Sequence, residues 1–114
     1  MSHSPKDFLG HILIEATFIL DSCQGLEKEQ FINDPILTRA VVRSLEIIGE
    51  ATKNLSDEFK QKYPEIPWRQ MAGMRDKLIH DYFGVDYDVV WSVIDLEISS
   101  LIQKIQKCIS EDIG

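Results

Sequence analysis

At 114 residues, 44% hydrophobic and 27% charged, the chain is long enough for one modest core without staples and is expected to form one domain, residues 1–114. A formal net charge of −7 argues against broad electrostatic binding of nucleic acid, which needs several Lys or Arg on phosphates, but leaves room for one local phosphate site or a basic partner. No apolar run approaches the ~20 residues of a membrane span, and MSHSPKDFLGHILIEATFIL lacks the positive n-region of a signal peptide, so a cytoplasmic protein is expected.

The elements follow in chain order. Ser4-Pro5, Asp34-Pro35 and Ile66-Pro67 each place a proline where a first helical residue belongs, and Ser4 and Asp34 can cap the orphan N–H groups. Phe8, Leu9, Ile12, Leu13, Ala16, Ile19, Leu20 and Cys23 step by three and four, which predicts a first helix that stops at Gly25. LEKEQFIND reads as a polar connection anchored by Phe31 and Ile32. Leu37, Val41, Leu45, Ile48, Ala51 and Leu55 predict a second helix over about 35–55. SDEFKQKYPEIPW extends or restarts it before Pro64 breaks it.

Trp68, Met71, Met74 and Leu78 predict a third helix from Pro67 towards Tyr82, with Gly84 at a left-handed C-cap. A fourth begins at Asp86 or Asp88 and carries Val89, Val90, Val93, Ile94, Ile98, Leu101, Ile102, Ile105 and Ile109 to near the C-terminus. No strand signal, repeat or low-complexity tract interrupts this reading. The expected fold is an all-α, up-and-down bundle of four helices. Mid-helix Gly49 costs ~1 kcal/mol against Ala, which close helix approach would offset.

The chemistry concentrates in the third helix and just beyond it, where Arg75, Asp76, His80, Asp81 and Tyr82 fall within eight positions. A lone surface Arg is ordinarily solvated, but Arg69 and Lys77 add local positive charge, and the Arg75 guanidinium can hold a phosphate bidentately. A His at a helix end commonly serves the C-terminal dipole. Here Asp76, four residues earlier, can orient the imidazole and favour its protonated form, which suits general acid–base work.

Tyr82, seven residues after Arg75, lies about −20° round an ideal helix from it, whereas His80 lies roughly 140° away. Arg75 and His80 of one rigid helix do not converge on one atom. Either the helix loosens before Gly84, or two copies face each other across a two-fold axis. An apparent apolar surplus of Trp68, Trp91, Phe83, Met71 and Met74 favours the dimer. Metal ligation is not expected: one His with scattered carboxylates lacks the count and spacing of a zinc site, and Asp86 and Asp88 suit capping. Cys23 and Cys108 fall on apolar stripes and read as buried free thiols rather than a disulfide or nucleophiles. No cofactor is expected, since IIGEA is a single helical Gly and not a phosphate loop.

RSLEIIGEATKNLS, followed by YPEIPWRQMAGMRDKLIHDYFGVDYDVVW, resembles the HepT-like branch of the HEPN superfamily. The likeness rests on the IIGEA helix, the IPW block and R-x4-H-x-Y in that order, and covers nearly the whole chain. It implies a HEPN-like four-helix bundle forming a symmetric homodimer. It implies a toxin of a type VII toxin–antitoxin pair, a metal-independent endoribonuclease whose partner is a minimal nucleotidyltransferase antitoxin. The motif assigns catalysis to Arg75 and His80, and makes Tyr82 the acceptor of AMP. Relatives often carry Asn after the motif Arg; Asp76 in that place would tighten the hold on His80 and repel an RNA phosphate. The alternative reading is a non-catalytic helical module that docks a nucleotidyltransferase or a nucleotide.

Overall fold

The computed structural model describes residues 4–78 and 84–113. Among these there are eight helices: α1 (Pro5–Cys23), α2 (Lys28–Ile32), α3 (Pro35–Lys53), α4 (Asp57–Lys62), α5 (Trp68–Ala72), α6 (Met74–Leu78), α7 (Tyr87–Leu96) and α8 (Ile98–Ile113). They group into four arms: α1, α3, α5 with α6, and α7 with α8. α1 packs on α3 and α8, α3 on α5 and α6, and α6 on α7, which closes a four-sided, all-α bundle.

Neighbouring arms run antiparallel. Phe8 and His11 of α1 share a cleft with Glu50, Ala51 and Asn54 at the far end of α3. Lys6 and Leu9 meet Ile109 and Asp112 near the end of α8. The up-and-down topology therefore follows the short links that the sequence predicts.

The helix signals act largely where expected. Asp34 accepts from the N–H groups of Ile36 and Leu37 at 3.1 and 2.9 Å. At Ser4 it is the Asp7 carboxylate that reaches back, accepting from the Ser4 N–H at 3.0 Å. Asp86, not Asp88, caps α7 by accepting from the Val89 N–H. Gly25 has φ 79°, and the Leu26 N–H donates to the Cys23 carbonyl. With Gln24 at φ −60°, ψ 128°, this is a type II turn, which requires a positive φ at its third residue. Gly84 has φ 95°, as expected, and the neighbouring Asp86 N–H donates to the Leu78 carbonyl at 2.9 Å.

Four features depart from the sequence reading. First, Pro67 is the N-cap of α5, not its first residue; at φ −79°, ψ 65° it centres an inverse γ-turn in which the Trp68 N–H donates to the Ile66 carbonyl at 2.8 Å. Second, the third helix bends at Gly73, where loss of the side chain lowers the cost of a kink. Third, Glu97 at φ −121°, ψ −32° divides the fourth helix into α7 and α8. Fourth, a short helix, α2, forms where a polar connection was read, whereas α4 is the helix restart before Pro64 that the sequence allowed. α2 buries Phe31 completely, with its ring 5.6 Å from that of Trp91. α4 is closed by Trp68, whose indole N–H donates to the carbonyls of Lys60 and Tyr63 at 3.1 and 3.0 Å, satisfying orphan acceptors at the helix end.

These packings also remove the apolar surplus as an argument for a dimer. Trp68, Met71 and Met74 are buried in the core, and Trp91 packs against it; Phe83 lies outside the described residues. Large apolar side chains that stay exposed are instead Ile14, Phe18, Leu20, Ile36 and Leu96.

Gly49 behaves as its cost predicts. A Cβ built there would lie 3.2 Å from the Met71 carbonyl oxygen and 3.6 Å from that of Ala72, so α3 and α5 meet backbone to side-chain-free backbone. Gly10, also mid-helix, has open space. The two cysteines are free and buried. Burial, with Asp112, Glu65 and Glu111 adding to it, pushes the Cys108 thiol up to about 11, and burial alone raises that of Cys23.

Two outcomes are expected. Gly10→Ala should stabilise the chain by about 0.5–1 kcal/mol, through helix propensity alone. Gly49→Ala should instead cost about 1 kcal/mol net, because overpacking against a helix pinned by Trp68 outweighs the same propensity gain; urea unfolding of both variants checks the opposed signs. At pH 8 a thiol at about 11 is roughly 100-fold less ionised than one at 9.0. Cys108 should therefore resist iodoacetamide in the folded protein and react once the chain is unfolded.

Candidate functional site

α6 begins just after the Gly73 bend and exposes Arg75, Asp76 and Lys77 while burying Met74 and Leu78. The two buried side chains, four residues apart, fix the helix by one face, so the three charged residues have no choice but the outer one. Arg69 of α5 is exposed as well. The local positive charge expected from the sequence is therefore present on α5 and α6.

Arg75 is not free in this arrangement. Its Nε lies 3.4 Å from Glu46 Oε2 on α3. The Glu46 side chain is 25% exposed and that of Arg75 57%. Such an outward-facing pair contributes about 0–1 kcal/mol to stability, so its interest lies in where it holds the guanidinium. Nε–H is one of five donors; among the described residues no hydrogen bond or ion pair takes up the Nη1 and Nη2 groups. Asp76 is exposed, and among the described residues no hydrogen bond or ion pair restrains it.

His80 and Tyr82 lie outside the described residues, as do Ile79 and Asp81. The Asp76–His80 pairing and the shared face of Arg75 and Tyr82 accordingly stay sequence expectations. What the structure adds is Glu46, which sequence reasoning passed over. A signal for it exists: Glu46 is three residues before Gly49, on the same side of α3, and a side chain there is drawn to whatever the glycine lets approach.

Other chemistry is sparse. Among the described residues no group of three or more His, Cys, Asp or Glu side chains could hold a metal ion. No helix among them is long and apolar enough to cross a membrane. An apolar groove of about 130 Å³ between α5 and the α7–α8 bend includes Met71, Met74, Val93, Leu96 and Leu101 in its lining, and neither Arg75 nor Asp76 reaches it.

Comparison with known proteins places this geometry in context. A family model described as "HepT-like: Ribonuclease HepT-like" matches residues 12–108. "Putative RNase TTE0752" of Caldanaerobacter subterraneus subsp. tengcongensis is 49% identical over 96% of this chain and 97% of its own length. "Probable ribonuclease HepT" of Thermococcus cleftensis is 48% identical over 94% of this chain and 97% of its own. In Methanocaldococcus jannaschii, "Gamma-glutamylcyclotransferase and putative RNase MJ0434" is 41% identical over 97% of this chain but only 50% of its own length. No solved structure matches the chain. The aligned span holds α3, the Gly49 contact and the Arg75-bearing helix together, and on that span the chain belongs to the HepT-like family of the HEPN superfamily.

Proposed function

We propose that the protein is a metal-independent endoribonuclease, the toxin of a type VII toxin–antitoxin pair. The observation that carries this reading is the family match over residues 12–108, which spans Arg75 and the R-x4-H-x-Y string. RNA supplies its own nucleophile. A base takes the proton of a 2′-OH; the freed oxygen bonds to phosphorus; the bond from phosphorus to the 5′-oxygen breaks, and an acid protonates that oxygen. The products are a 2′,3′-cyclic phosphate and a 5′-OH. Charge gathers on the phosphorane oxygens, and a fixed guanidinium stabilises it without a metal.

In this reading Arg75 clamps the phosphate and His80 is the general acid or base. Asp76 orients the His80 imidazole. The site is composite: two copies of the chain meet at a two-fold axis and pool their Arg75 and His80 side chains. Tyr82 is the switch. A nucleotidyltransferase antitoxin transfers AMP from ATP to its hydroxyl and releases pyrophosphate, which sets bulk and negative charge where substrate phosphate must bind.

A second reading has an observation of its own. The exposed guanidinium of Arg75 has Glu46 at 3.4 Å and Asp76 as chain neighbour, in a chain of net charge −7. That acidic setting suits a non-catalytic module that docks the nucleotidyltransferase or a nucleotide.

Purified protein should cleave RNA in EDTA. Arg75→Ala should lower the rate by about 10²–10³-fold and His80→Ala by about 10²–10⁴-fold; wild-type rates in His80→Ala would refute the mechanism. Incubation with a minimal nucleotidyltransferase antitoxin and ATP should raise the intact mass by whole AMP groups in wild type and not in Tyr82→Phe. Mass gain without any RNA cleavage would instead establish the docking module.

A further inference from the structure

The mechanism above uses Arg75 as a clamp and leaves unexplained why a half-buried carboxylate from another helix sits against it. We propose that Glu46 is a positioning residue for Arg75: it fixes the guanidinium through Nε, so that the Nη1 and Nη2 groups present a preset fork to the RNA phosphate. This rests on the proposed ribonuclease reading.

The geometry has three parts. The Glu46 carboxylate oxygen stands 3.4 Å from Nε, the donor nearest the chain, and not from the two outer nitrogens that match a phosphate edge. Its side chain is less than half as exposed as that of Arg75, so it supports the pair from beneath. Its reach is set by the backbone. Gly49, one turn along α3, lets the α5 carbonyls of Met71 and Ala72 approach, and the bend at Gly73 then carries Arg75 over Glu46. An arginine on an exposed helix face samples many rotamers. Holding one of them before substrate arrives is what a preorganised clamp requires, and misplacement of about 1 Å costs about 10²-fold in rate.

The alternatives for Glu46 make different predictions. As a mere surface ion pair it would matter slightly for stability and not for turnover. As a proton acceptor in the reaction it would need its ionisable carboxylate. As a positioning residue it needs only an acceptor oxygen, which glutamine keeps.

The test compares Glu46→Ala and Glu46→Gln with wild type and Arg75→Ala on a short RNA oligonucleotide in EDTA. Glu46→Ala should lower kcat by about 10–100-fold, with melting within about 3 °C of wild type; Glu46→Gln should recover most of that loss. Unchanged kcat in Glu46→Ala, beside a strong loss in Arg75→Ala, overturns the inference and spares the ribonuclease reading. Glutamine as inactive as alanine also overturns it, because the carboxylate then moves a proton.

A second measurement does not depend on cleavage. The chain has four arginines, Arg39, Arg43, Arg69 and Arg75, so the Arg75 Nε–H resonance can be assigned by its loss in Arg75→Lys. It should exchange slowly in wild type and Glu46→Gln and fast in Glu46→Ala. Equal exchange in all three refutes the contact even if the protein proves inactive, whereas wild type that cuts no RNA while showing the expected exchange pattern refutes only the ribonuclease reading.

Discussion

The close approach of α3 and α5 at Gly49 is the constraint on which the candidate site depends. Any side chain there would press a Cβ to 3.2 Å from the Met71 carbonyl, so the interhelical distance is available to glycine alone without adjustment. Everything downstream inherits that spacing. α5 and then α6 pack along α3, and Arg75 comes to rest within reach of Glu46. A larger residue at 49 would lift the third arm and with it the guanidinium. The helix-propensity cost of a mid-helix glycine thus has a packing counterpart that also sets where Arg75 lies.

Trp68 secures the other end of the same arm. Its ring packs in the core against Phe59, and its N–H ties down the carbonyl end of α4. The arm is therefore held at its start by an aromatic plug, in its middle by backbone contact, and near its end by the Leu78 carbonyl accepting from Asp86. A charged helix face anchored at three points suits preorganised recognition of a phosphate. It also explains how an acidic protein can offer one local cationic patch: burial of Met74 and Leu78 dictates which face of α6 carries the charge.

Much of this was legible in the sequence. Apolar steps of three and four residues gave the four arms, and Asp34, Asp86, Gly25 and Gly49 act where their chemistry says they should. The bends at Gly73 and Glu97 were not legible, because the apolar period runs unbroken through MAGMRDKL and VIDLEISSL; tertiary packing, not pattern, decides them. Pro67 was misplaced by one residue because proline fits both a first helical position and a γ-turn. Glu46 was passed over for a different reason. A single glutamate on an amphipathic helix looks solvated until the opposing helix is known. The roles of Arg75, Asp76, His80 and Tyr82 come from residue chemistry and family likeness, and the structure shows the positions of the first two alone.

If Arg75 and His80 act from different chains, each chain holds half of every site. Mixing Arg75→Ala with His80→Ala protein tests this most directly. Subunit exchange makes half the dimers mixed, and in each mixed dimer one of two sites regains both groups, so RNA cleavage should return to about a quarter of the wild-type rate. A mixture as inactive as its two components, with exchange confirmed by native mass, would contradict the composite site and place Arg75 and His80 at work within a single chain.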